Sequence, residues 1–332
     1  MKHYTVANLN PEIHQFDAPL RQRLDAAGAE LIEQECADEA AVMAFAGSAQ
    51  ALISPRAPVT RRVIESLKQC RVIARPGTGT DNVDHHAATE HNIVVVYVPD
   101  FCTEEVADHT LAFILACHKK LLRLDRFVRS GRWGFDLLAP LPRLAGQVLG
   151  LVGFGRIAQS VARKAQTFGL KVIGYDPYQK NEVFARCQAA AAGLEELLRR
   201  SDYVSLHIPL TPQTRGMMGT KELHLMQPSA YLINCARGGV VDEPALIEAL
   251  RQRTIAGAAL DCLAQEPPPA DHPLFALDNV ILTPHSAAYS DGAMAYLREK
   301  TIEQIVDVFL GRVPQFVRNP EVLARLATNN NE

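Results

Sequence analysis

The chain lacks several sequence features that would assign it to a specialised class of protein. No apolar run approaches the ~20 residues that a membrane-spanning helix needs, and the opening MKHYTVANLN has no apolar core of signal-peptide length. The formal net charge is only −3, which gives no electrostatic reason to expect nucleic acid or an anionic membrane as a partner. We therefore expect a protein that binds neither nucleic acid nor a membrane.

Cysteine and histidine are present, but not in the spacings of disulfide frames or metal sites. The seven cysteines are scattered, odd in number and include no C-x-x-C pair. This usage indicates reduced thiols and a cytoplasmic location. The eleven histidines include no H-E-x-x-H or comparable spacing, and the pair His85–His86 is interpreted as the exposed first turn of a helix. The sequence therefore predicts no metal site.

Short apolar strands alternate with helical stretches twice along the 332 residues, a length sufficient for two domains with cores of their own. The first series of predicted strands is 3–9, 29–34, 50–54, 71–75 and 93–98. The second series is 148–152, 171–175, 203–207, 230–235, 256–261 and 279–283. Such alternation indicates an α/β fold with mostly parallel sheets.

Two long helices are predicted where the two series of strands meet. One begins near Thr103 as N-cap and runs to 121, and the other begins at Ser290 or Asp291 and stops near Gly311. The second series of strands therefore forms a separate domain. This domain is inserted between the strands of the first series and the C-terminal helix that belongs with those strands. We predict one domain from 1–101 plus 287–332 and another from 102–286, with a polar tail that frays at the end of the chain.

A glycine motif opens the second series. Gly153, Gly155 and Ala158 form G-x-G-x-x-A directly after the apolar strand QVLGLV. The first glycine permits a tight turn, the second lets the backbone approach a pyrophosphate, and the small third residue lets the helix pack on the strand. Asp176 ends the next strand, where a carboxylate would bind the ribose 2′-hydroxyl of a dinucleotide and repel a 2′-phosphate. The motif predicts NAD(H) rather than NADP(H); the alternative is a packing turn with Asp176 as a strand-end cap.

Three residues with complementary chemistry each follow a later strand. Arg237 lies in NCARGGVVDE, Glu266 in DCLAQEPP and His285 in TPHSAAYS. Because functional groups gather beyond the carboxyl ends of parallel strands, we expect the three to converge. An arginine can hold and polarise a 2-keto acid, a histidine can transfer the hydroxyl proton, and a paired glutamate favours the imidazolium. Singly, each could be a loop salt bridge, a surface acid or a structural histidine, but their order and placement together favour catalysis.

Over essentially its whole length the chain resembles the D-isomer-specific 2-hydroxyacid dehydrogenase family, most nearly its phosphoglycerate dehydrogenase and C-terminal-binding protein branches. The resemblance is carried by RPGTGTDNVD (75–84), TEEVADHTLAFILA (103–116), GLVGFGRIAQSVARKAQTFGLKVIGYDPY (150–178), NCARGGVVDE (234–243), GAALDCLAQEPP (257–268) and TPHSAAYS (283–290). It implies two Rossmann-like or flavodoxin-like domains, the cofactor domain being inserted into a discontinuous substrate domain. It also implies a homodimer formed through the long helices, and hinge closure over the substrate.

The resemblance further implies roles for individual residues. Besides Gly153, Gly155 and Asp176, the positions that would line NAD(H) are Arg156, Ile157, Pro177, His207, Pro209, Cys235, Ala236, Asp261 and Thr110. The positions that would bind the substrate are Arg56, Arg75, Gly77, Thr78, Gly79, Arg237 and Ala288. In the family, backbone amides of the loop 77–79 hold the substrate carboxylate.

Two departures from the family pattern concern the substrate. Ala288 stands where C-terminal-binding proteins carry a tryptophan, which implies a wider pocket, and Ser54 replaces an arginine that phosphoglycerate dehydrogenases use for phosphate. The expected function is an NAD-dependent D-2-hydroxyacid dehydrogenase in which His285 is the acid/base, paired with Glu266. The alternative is an NAD(H)-sensing dimeric co-regulator with little or no turnover. Phosphoglycerate, hydroxypyruvate, glyoxylate and bulkier acids all stay open as substrates.

Overall fold

The computed structural model describes residues 3–136 and 138–324, and its α/β architecture with two parallel sheets confirms the predicted fold class. The chain divides into two compact units, unit 1 being Met1–Phe101 with Ser290–Glu332 and unit 2 being Cys102–Tyr289. The polar tail for which the sequence predicts fraying lies outside the described residues. In the part of the chain that is described, no helix combines the length and the apolar character needed to cross a membrane.

Unit 1 is built on a five-stranded parallel sheet with the order β2-β1-β3-β4-β5. Its strands are β1 (Tyr4–Asn8), β2 (Ala29–Glu33), β3 (Ala51–Ile53), β4 (Val72–Arg75) and β5 (Val94–Tyr97). Its first four helices are α1 (Ala18–Ala26), α2 (Glu39–Ala46), α3 (Arg61–Ser66) and α4 (His85–Glu90). This strand order is the flavodoxin-like one, in which the direction of chain progression switches between β1 and β3.

Aspartate caps and buried aliphatic residues explain why these segments fold as they do. Asp17, Asp38 and Asp84 each accept a hydrogen bond from a first-turn amide of the helix that follows, which satisfies a donor that the helix itself leaves unpaired. Strands β3, β4 and β5 are almost wholly buried, as expected of a parallel sheet covered on both faces, whereas the edge strand β2 is only partly buried.

The C-terminal segment completes the core of unit 1. The last helix of the chain, Asp291–Phe309, packs Ile302, Ile305 and Phe309 with the strand residues Val72 and Val94 in one hydrophobic cluster. Its N-cap is Ser290, whose hydroxyl accepts a hydrogen bond from the amide of Ala293. Residues far apart in sequence therefore form one unit.

Unit 2 is built on a seven-stranded parallel sheet with the order β12-β11-β10-β9-β6-β7-β8. Its strands are β6 (Val148–Val152), β7 (Lys171–Tyr175), β8 (Ala190–Ala191), β9 (Tyr203–Leu206), β10 (Tyr231–Asn234), β11 (Gly257–Leu260) and β12 (Val280–Leu282). Its helices are α5 (Thr103–His118), α6 (Leu121–Arg129), α7 (Arg156–Thr167), α8 (Asn181–Arg186), α9 (Leu194–Arg200), α10 (Thr220–Leu225) and α11 (Glu243–Arg251). The last helix of the chain, Asp291–Phe309 of unit 1, is therefore α12. The chain starts this sheet in the middle, at β6, so its switch point lies between β6 and β9.

The long helix predicted near 103–121 begins at Thr103 as expected, but its N-cap residue and its C-terminal end differ from the prediction. Cys102, not Thr103, is the N-cap, and it makes no side-chain capping bond. The helix stops at His118 because Lys120 adopts the left-handed conformation, φ +54, which separates α5 from α6. Leu121, the last residue of the predicted helix, instead begins α6 and is exposed.

Candidate active site

The first glycine of the motif is fixed by packing at the switch point of the unit 2 sheet. Gly153 follows β6 with φ +87, a backbone conformation that favours glycine. A Cβ at this position would lie 2.5 Å from the carbonyl oxygen of His207, which follows the neighbouring strand β9. Glycine at 153 therefore lets β6 turn sharply while the ends of the two strands stay in contact.

Packing within the protein does not explain the second glycine of the motif. Gly155 has an ordinary φ of −75°, and a Cβ there would meet nothing within 4 Å. It is the N-cap of α7 yet offers no side chain to cap the helix, so the first-turn amides keep their affinity for an anion. An open cradle at a helix N-terminus is what the close approach of a pyrophosphate requires. The residues present fit a dinucleotide.

Asp176 connects the end of β7 to this turn. Its Oδ2 accepts a hydrogen bond from the amide of Phe154 at 2.9 Å, and its Oδ1 accepts one from the amide of Tyr178 at 2.9 Å. A carboxylate can accept about four hydrogen bonds, so capacity for a ribose hydroxyl remains. Asp176 thus has a strand-end capping role and can also bind the ribose. The neighbouring Pro177 and Tyr178 are exposed and uncharged.

His285 and Glu266 form a direct pair in unit 2. Nδ1 of His285 lies 2.6 Å from Oε2 of Glu266, and Oε1 of Glu266 accepts the amide of Leu263 at 3.0 Å. Burial by itself would raise the pKa of Glu266, but the hydrogen bond and charge of His285, the Leu263 amide and the charge of Arg237 outweigh it and lower that pKa. Glu266 is therefore a carboxylate at neutral pH and an acceptor for the Nδ1 proton of His285.

The loop that carries His285 is held by Asp261. The side chain of Asp261 is buried, and its Oδ1 accepts the hydroxyl of Thr283 at 2.5 Å and the amide of Ser286 at 2.9 Å. Its Oδ2 accepts the amide of Ala287 at 2.9 Å, and its carbonyl accepts the amide of His285 at 2.7 Å. Asp261, predicted to line the cofactor, is thus also the residue that shapes the histidine loop.

Arg237 lies on the loop that follows β10. Asn234 supports this loop, since its Nδ2 donates to the carbonyl of Arg237 at 3.0 Å and its Oδ1 accepts the amide of Ala236 at 3.0 Å. A Cβ on Gly238 would lie 2.0 Å from the carbonyl carbon of Leu263, so the two backbones are in close contact. The structure therefore brings Arg237, Glu266 and His285 together within unit 2.

The remaining residues predicted to line the cofactor in unit 2 differ in accessibility. Thr110 is fully buried and donates its hydroxyl to the carbonyl of Val106 at 2.8 Å. Burial, followed by the charge of Asp261, raises the pKa of Cys235 to about 12, although its hydrogen bond with Thr110 acts in the opposite direction. Burial lowers the pKa of His207 to about 4. Half-buried or exposed positions are Ile157, Ala236, Arg156 and Pro209.

The predicted substrate residues of unit 1 lie at the end of β4, which is Arg75, and on the loops after β3 and β4. Gly77 has φ +135, and a Cβ there would lie 1.8 Å from Nη1 of Arg75, so this end of the guanidinium packs closely on Gly77. Nη1 of Arg75 also donates to the carbonyl of Pro76 at 3.1 Å. Arg56 is exposed, whereas Ser54 is buried and donates its hydroxyl to the carbonyl of Ala57. Ala288 is half-buried and belongs to unit 2.

Sequence reasoning missed several polar residues that build these sites. Asn234 could have been found from its place at a strand end, since Asn favours turns in which its side chain bonds the backbone two residues on. Asn10 and His14, in the loop after β1, carry no sequence motif, yet both are buried. Across residues 3–136 and 138–324, no three His, Cys, Asp or Glu side chains are grouped so as to hold a metal ion.

Comparison with known proteins gives a consistent result. Residues 111–287 match the family model described as "D-isomer specific 2-hydroxyacid dehydrogenase, NAD binding domain". The chain is 42% identical to D-3-phosphoglycerate dehydrogenase of Methanocaldococcus jannaschii over 79% of its own length and half the length of that protein. It is 37% identical to a glyoxylate reductase of Korarchaeum cryptofilum, over 80% of this chain and 81% of that one.

A solved structure extends the comparison to the cofactor. D-lactate dehydrogenase from Aquifex aeolicus, in complex with NAD and lactic acid, superposes with a TM-score of 0.83 at 27% identity, covering 95% of this chain and 99% of that one. Together with the NAD-binding family model and the open cradle at Gly155, this confirms NAD(H) as the cofactor. The chain belongs to the D-isomer specific 2-hydroxyacid dehydrogenase family.

Proposed function

We propose that the protein is an NAD-dependent D-2-hydroxyacid dehydrogenase that interconverts a D-2-hydroxy acid and its 2-keto acid. The observation that carries the proposal is the 2.6 Å pair of His285 and Glu266 beside Arg237. When bound, the nicotinamide supplies a hydride to C2 of the keto acid, or accepts one from the hydroxy acid. In reduction the carbonyl oxygen takes up one proton, so keto acid, NADH and H⁺ give hydroxy acid and NAD⁺.

His285 is the proposed donor of that proton. Glu266 accepts the Nδ1 proton, which leaves Nε2 as the nitrogen that delivers a proton to the carbonyl oxygen. The carboxylate of Glu266 stabilises the imidazolium before transfer and fixes the ring orientation. In the oxidation direction the same Nε2 accepts the proton of the hydroxyl group.

Arg237 and the loop 77–79 are the proposed binders of the substrate. Arginine presents a fork of N–H donors that matches a carboxylate and can polarise the adjacent carbonyl. In unit 1, backbone amides of Gly77, Thr78 and Gly79 would hold the carboxylate, and Arg56 and Arg75 add positive charge to their surroundings. The support for these roles is the family resemblance together with the close packing of Arg75 on Gly77.

NAD(H) is the proposed choice over NADP(H). The carboxylate of Asp176 stands at the end of β7 beside the glycine turn, and the exposed residues that follow it, Pro177 and Tyr178, carry no positive charge. A 2′-phosphate placed there would meet a negative charge, and the nearest base that follows in the sequence is Lys180, four residues on. A cytoplasmic location is a separate proposal. It is supported by the seven cysteine residues, which are all present as thiols rather than disulfides.

A homodimer is the proposed assembly. Several large apolar side chains of α6 and the segment after it are exposed: Leu121, Leu122, Val128, Trp133 and Phe135. Trp133 is the only tryptophan of the chain and is 89% exposed, so its fluorescence reports on whatever covers this surface. We expect a dimer by light scattering and a blue shift of emission when the protein is concentrated. A monomer at micromolar concentration with water-exposed tryptophan emission would contradict the dimer.

The first experiment is NADH consumption by the purified protein with glyoxylate, hydroxypyruvate, phosphohydroxypyruvate, pyruvate and bulkier 2-keto acids. Turnover of any of these acids, with a product of D configuration, is the expected result. Binding of NADH without turnover of any acid would contradict the enzyme proposal. It would instead favour the NAD(H)-sensing alternative, which nucleotide-dependent association with a partner protein would then support.

A further inference from the structure

The loop that carries Glu266 has no helix or strand of its own to fix its position. This glutamate loop, residues 263–272, lies between β11 and a short 3₁₀ turn at Pro273–Ala276. In the proposed proton transfer, Oε2 of Glu266 has to stay within hydrogen-bond distance of Nδ1 of His285. Segments without regular structure are the more mobile parts of a fold unless other groups hold them. The position of Glu266 therefore depends on contacts that the loop makes with its surroundings.

Glu243, the first residue of α11, makes two of these contacts. Its Oε2 accepts a hydrogen bond from the amide of Ala264 at 3.0 Å, near the start of the glutamate loop. Its Oε1 lies 2.9 Å from Nε2 of His272, at the end of the loop. The side chains of Glu243 and His272 are only 16% and 8% exposed, and hydrogen bonds to an ionised group are stronger where water is largely excluded. One carboxylate therefore joins both ends of the loop.

The second ring nitrogen of His272 determines the direction of its contact with Glu243. Nδ1 accepts a hydrogen bond from the amide of Leu274 at 3.3 Å, and because an amide nitrogen only donates, Nδ1 carries a lone pair. The ring is then the neutral tautomer with its proton on Nε2, and this proton is donated to Oε1 of Glu243. His272 is therefore a hydrogen-bond donor that holds the Glu243 carboxylate in place.

The contact with Ala264 bears on the orientation of Glu266. The amides of Leu263 and Ala264 are consecutive, and the first donates to Oε1 of Glu266 while the second donates to Oε2 of Glu243. Because the Leu263 amide occupies Oε1 of Glu266, the other oxygen, Oε2, is the one that meets His285. A shift of the Ala264 amide would turn the backbone that directs the Glu266 carboxylate.

Glu243 also lies close in sequence to the loop of Arg237. Arg237 precedes the 3₁₀ turn Gly238–Val240, and Glu243 follows this turn at the start of α11. The backbone of Gly238 is in close contact with that of Leu263. The segment 237–243 thus meets the glutamate loop twice, once through its backbone and once through the Glu243 side chain.

We propose that Glu243 is a positioning residue for the proton-transfer pair: its carboxylate, held by His272, closes the glutamate loop and orients Glu266 toward His285. The inference rests on the proposed function, in which Glu266 orients the imidazole of His285. Glu243 and His272 themselves transfer no proton. Loss of their contact should slow the chemical step, because misplacing a catalytic group by about 1 Å can cost about a hundredfold in rate.

The first test is a double-mutant cycle of Glu243→Ala and Glu266→Gln, measured with the 2-keto acid that the wild-type protein turns over fastest. In the wild-type background, Glu243→Ala should lower kcat about tenfold to a hundredfold and change KM less than about threefold. In the Glu266→Gln background it should lower kcat less than about threefold, because a residue that acts through Glu266 has nothing further to orient. Glu248→Gln, at an exposed residue of the same helix, is the matched control and should keep kcat.

Two substitutions of His272 separate the contact with Glu243 from the contact with Leu274. The amide nitrogen of glutamine lies about as far from the backbone as Nε2 and can still donate to Glu243. The amide oxygen of asparagine replaces Nδ1 and can accept from Leu274, but the side chain is too short for Glu243. His272→Asn should therefore lower kcat at least about tenfold, and His272→Gln less than about threefold. The reverse order would show that His272 acts only through the turn at Leu274, and would overturn the inference.

The double-mutant cycle can overturn the inference independently. Equal losses of kcat from Glu243→Ala in the two backgrounds would mean that Glu243 acts separately from Glu266, as a merely structural residue would. An unchanged kcat in Glu243→Ala would overturn the inference as well. If Glu243→Ala does not fold, the order of the two His272 variants decides. The proposed function fails by different results, namely no turnover of any acid by the wild-type protein or full kcat in Glu266→Gln, and this inference then fails with it.

Discussion

His285 occupies a backbone conformation that a residue with a side chain rarely adopts. Its φ is +54, in the left-handed region, which costs a non-glycine residue on the order of 1–3 kcal/mol. The bonds from the loop to Asp261 offset this cost and place the imidazole against Glu266. Strain of this kind, held by a buried carboxylate, is typical of residues whose orientation matters for function.

His285 is the proposed proton donor, and Arg237 is a proposed binder of the substrate. Removing either side chain should abolish most turnover while leaving the nucleotide site intact. We expect His285→Gln and Arg237→Ala to lower kcat/KM by about a hundredfold to ten-thousandfold, the range for loss of a general acid or a charged substrate contact. The Kd for NADH should change less than about threefold, as measured by fluorescence titration. His224→Gln, at an exposed histidine of unit 2, is the control. Near-normal rates in both variants would refute the assigned roles.

Asp176 should determine the choice of nucleotide. We expect Asp176→Ala to weaken NADH binding and to relax discrimination against NADPH, because the negative charge that repels a 2′-phosphate is removed. The alanine also removes the acceptor of the Phe154 and Tyr178 amides, so Asp176→Asn, which keeps one oxygen, separates turn geometry from charge. The measurement is kcat/KM for both nucleotides. An unchanged ratio in both variants would show that Asp176 does not read the ribose.

At the scale of the element, the turn between β6 and α7 contains two glycines, and each has a different physical reason to be glycine. Gly153→Ala places a Cβ 2.5 Å from the carbonyl oxygen of His207 at a positive φ, and should lower the free energy of unfolding by about 1–3 kcal/mol. Gly155→Ala meets open space at an ordinary φ, and should change it by less than about 0.5 kcal/mol. Yet it should weaken NADH binding at least tenfold, because the methyl group occupies the pyrophosphate cradle.

Urea denaturation and NADH titration of the two alanine variants check this difference. Gly216→Ala, at another unit 2 turn with positive φ and open space, controls for backbone strain without a steric clash. If Gly155→Ala bound NADH as tightly as the wild type, the cradle would not be the phosphate site.

At the scale of the whole molecule, buried neutral histidines make stability depend on pH. The pKa of His14 is about 4 in the folded protein and 6.5 in the unfolded chain, so between these values the unfolded chain binds a proton that the folded protein does not. The free energy of unfolding therefore falls as the pH is lowered through this window, by at most about 3 kcal/mol for His14. His207, whose pKa burial of the ring likewise lowers to about 4, acts in the same direction.

The variant His14→Gln isolates this contribution. Between pH 7 and pH 5 the wild-type protein should lose about 2 kcal/mol more than the variant, since both retain His207 and Glu266 stays ionised at pH 5. Urea denaturation at the two pH values gives the comparison. A parallel loss in the two proteins would mean that His14 is protonated in the folded state or already exposed.

Local pattern was sufficient for most of the fold. Runs of apolar residues such as VIAR and VVVY predict strands because burial on both faces of a parallel sheet demands continuous hydrophobicity. Local pattern failed where its signal is weak. β8 is only two alanines long, and the left-handed Lys120 breaks a helical periodicity that continues across it.

The sequence by itself determined the α/β alternation, the glycine turn, its acid and the order of Arg237, Glu266 and His285, because each depends on neighbours along the chain. Only the tertiary structure decided that Asp261 shapes the histidine loop, and that Gly153 is required by His207 while Gly155 is not. These relations join residues whose separation in sequence has no fixed relation to their distance in space. They are set by how strands are ordered in a sheet, which the packing of the whole unit decides.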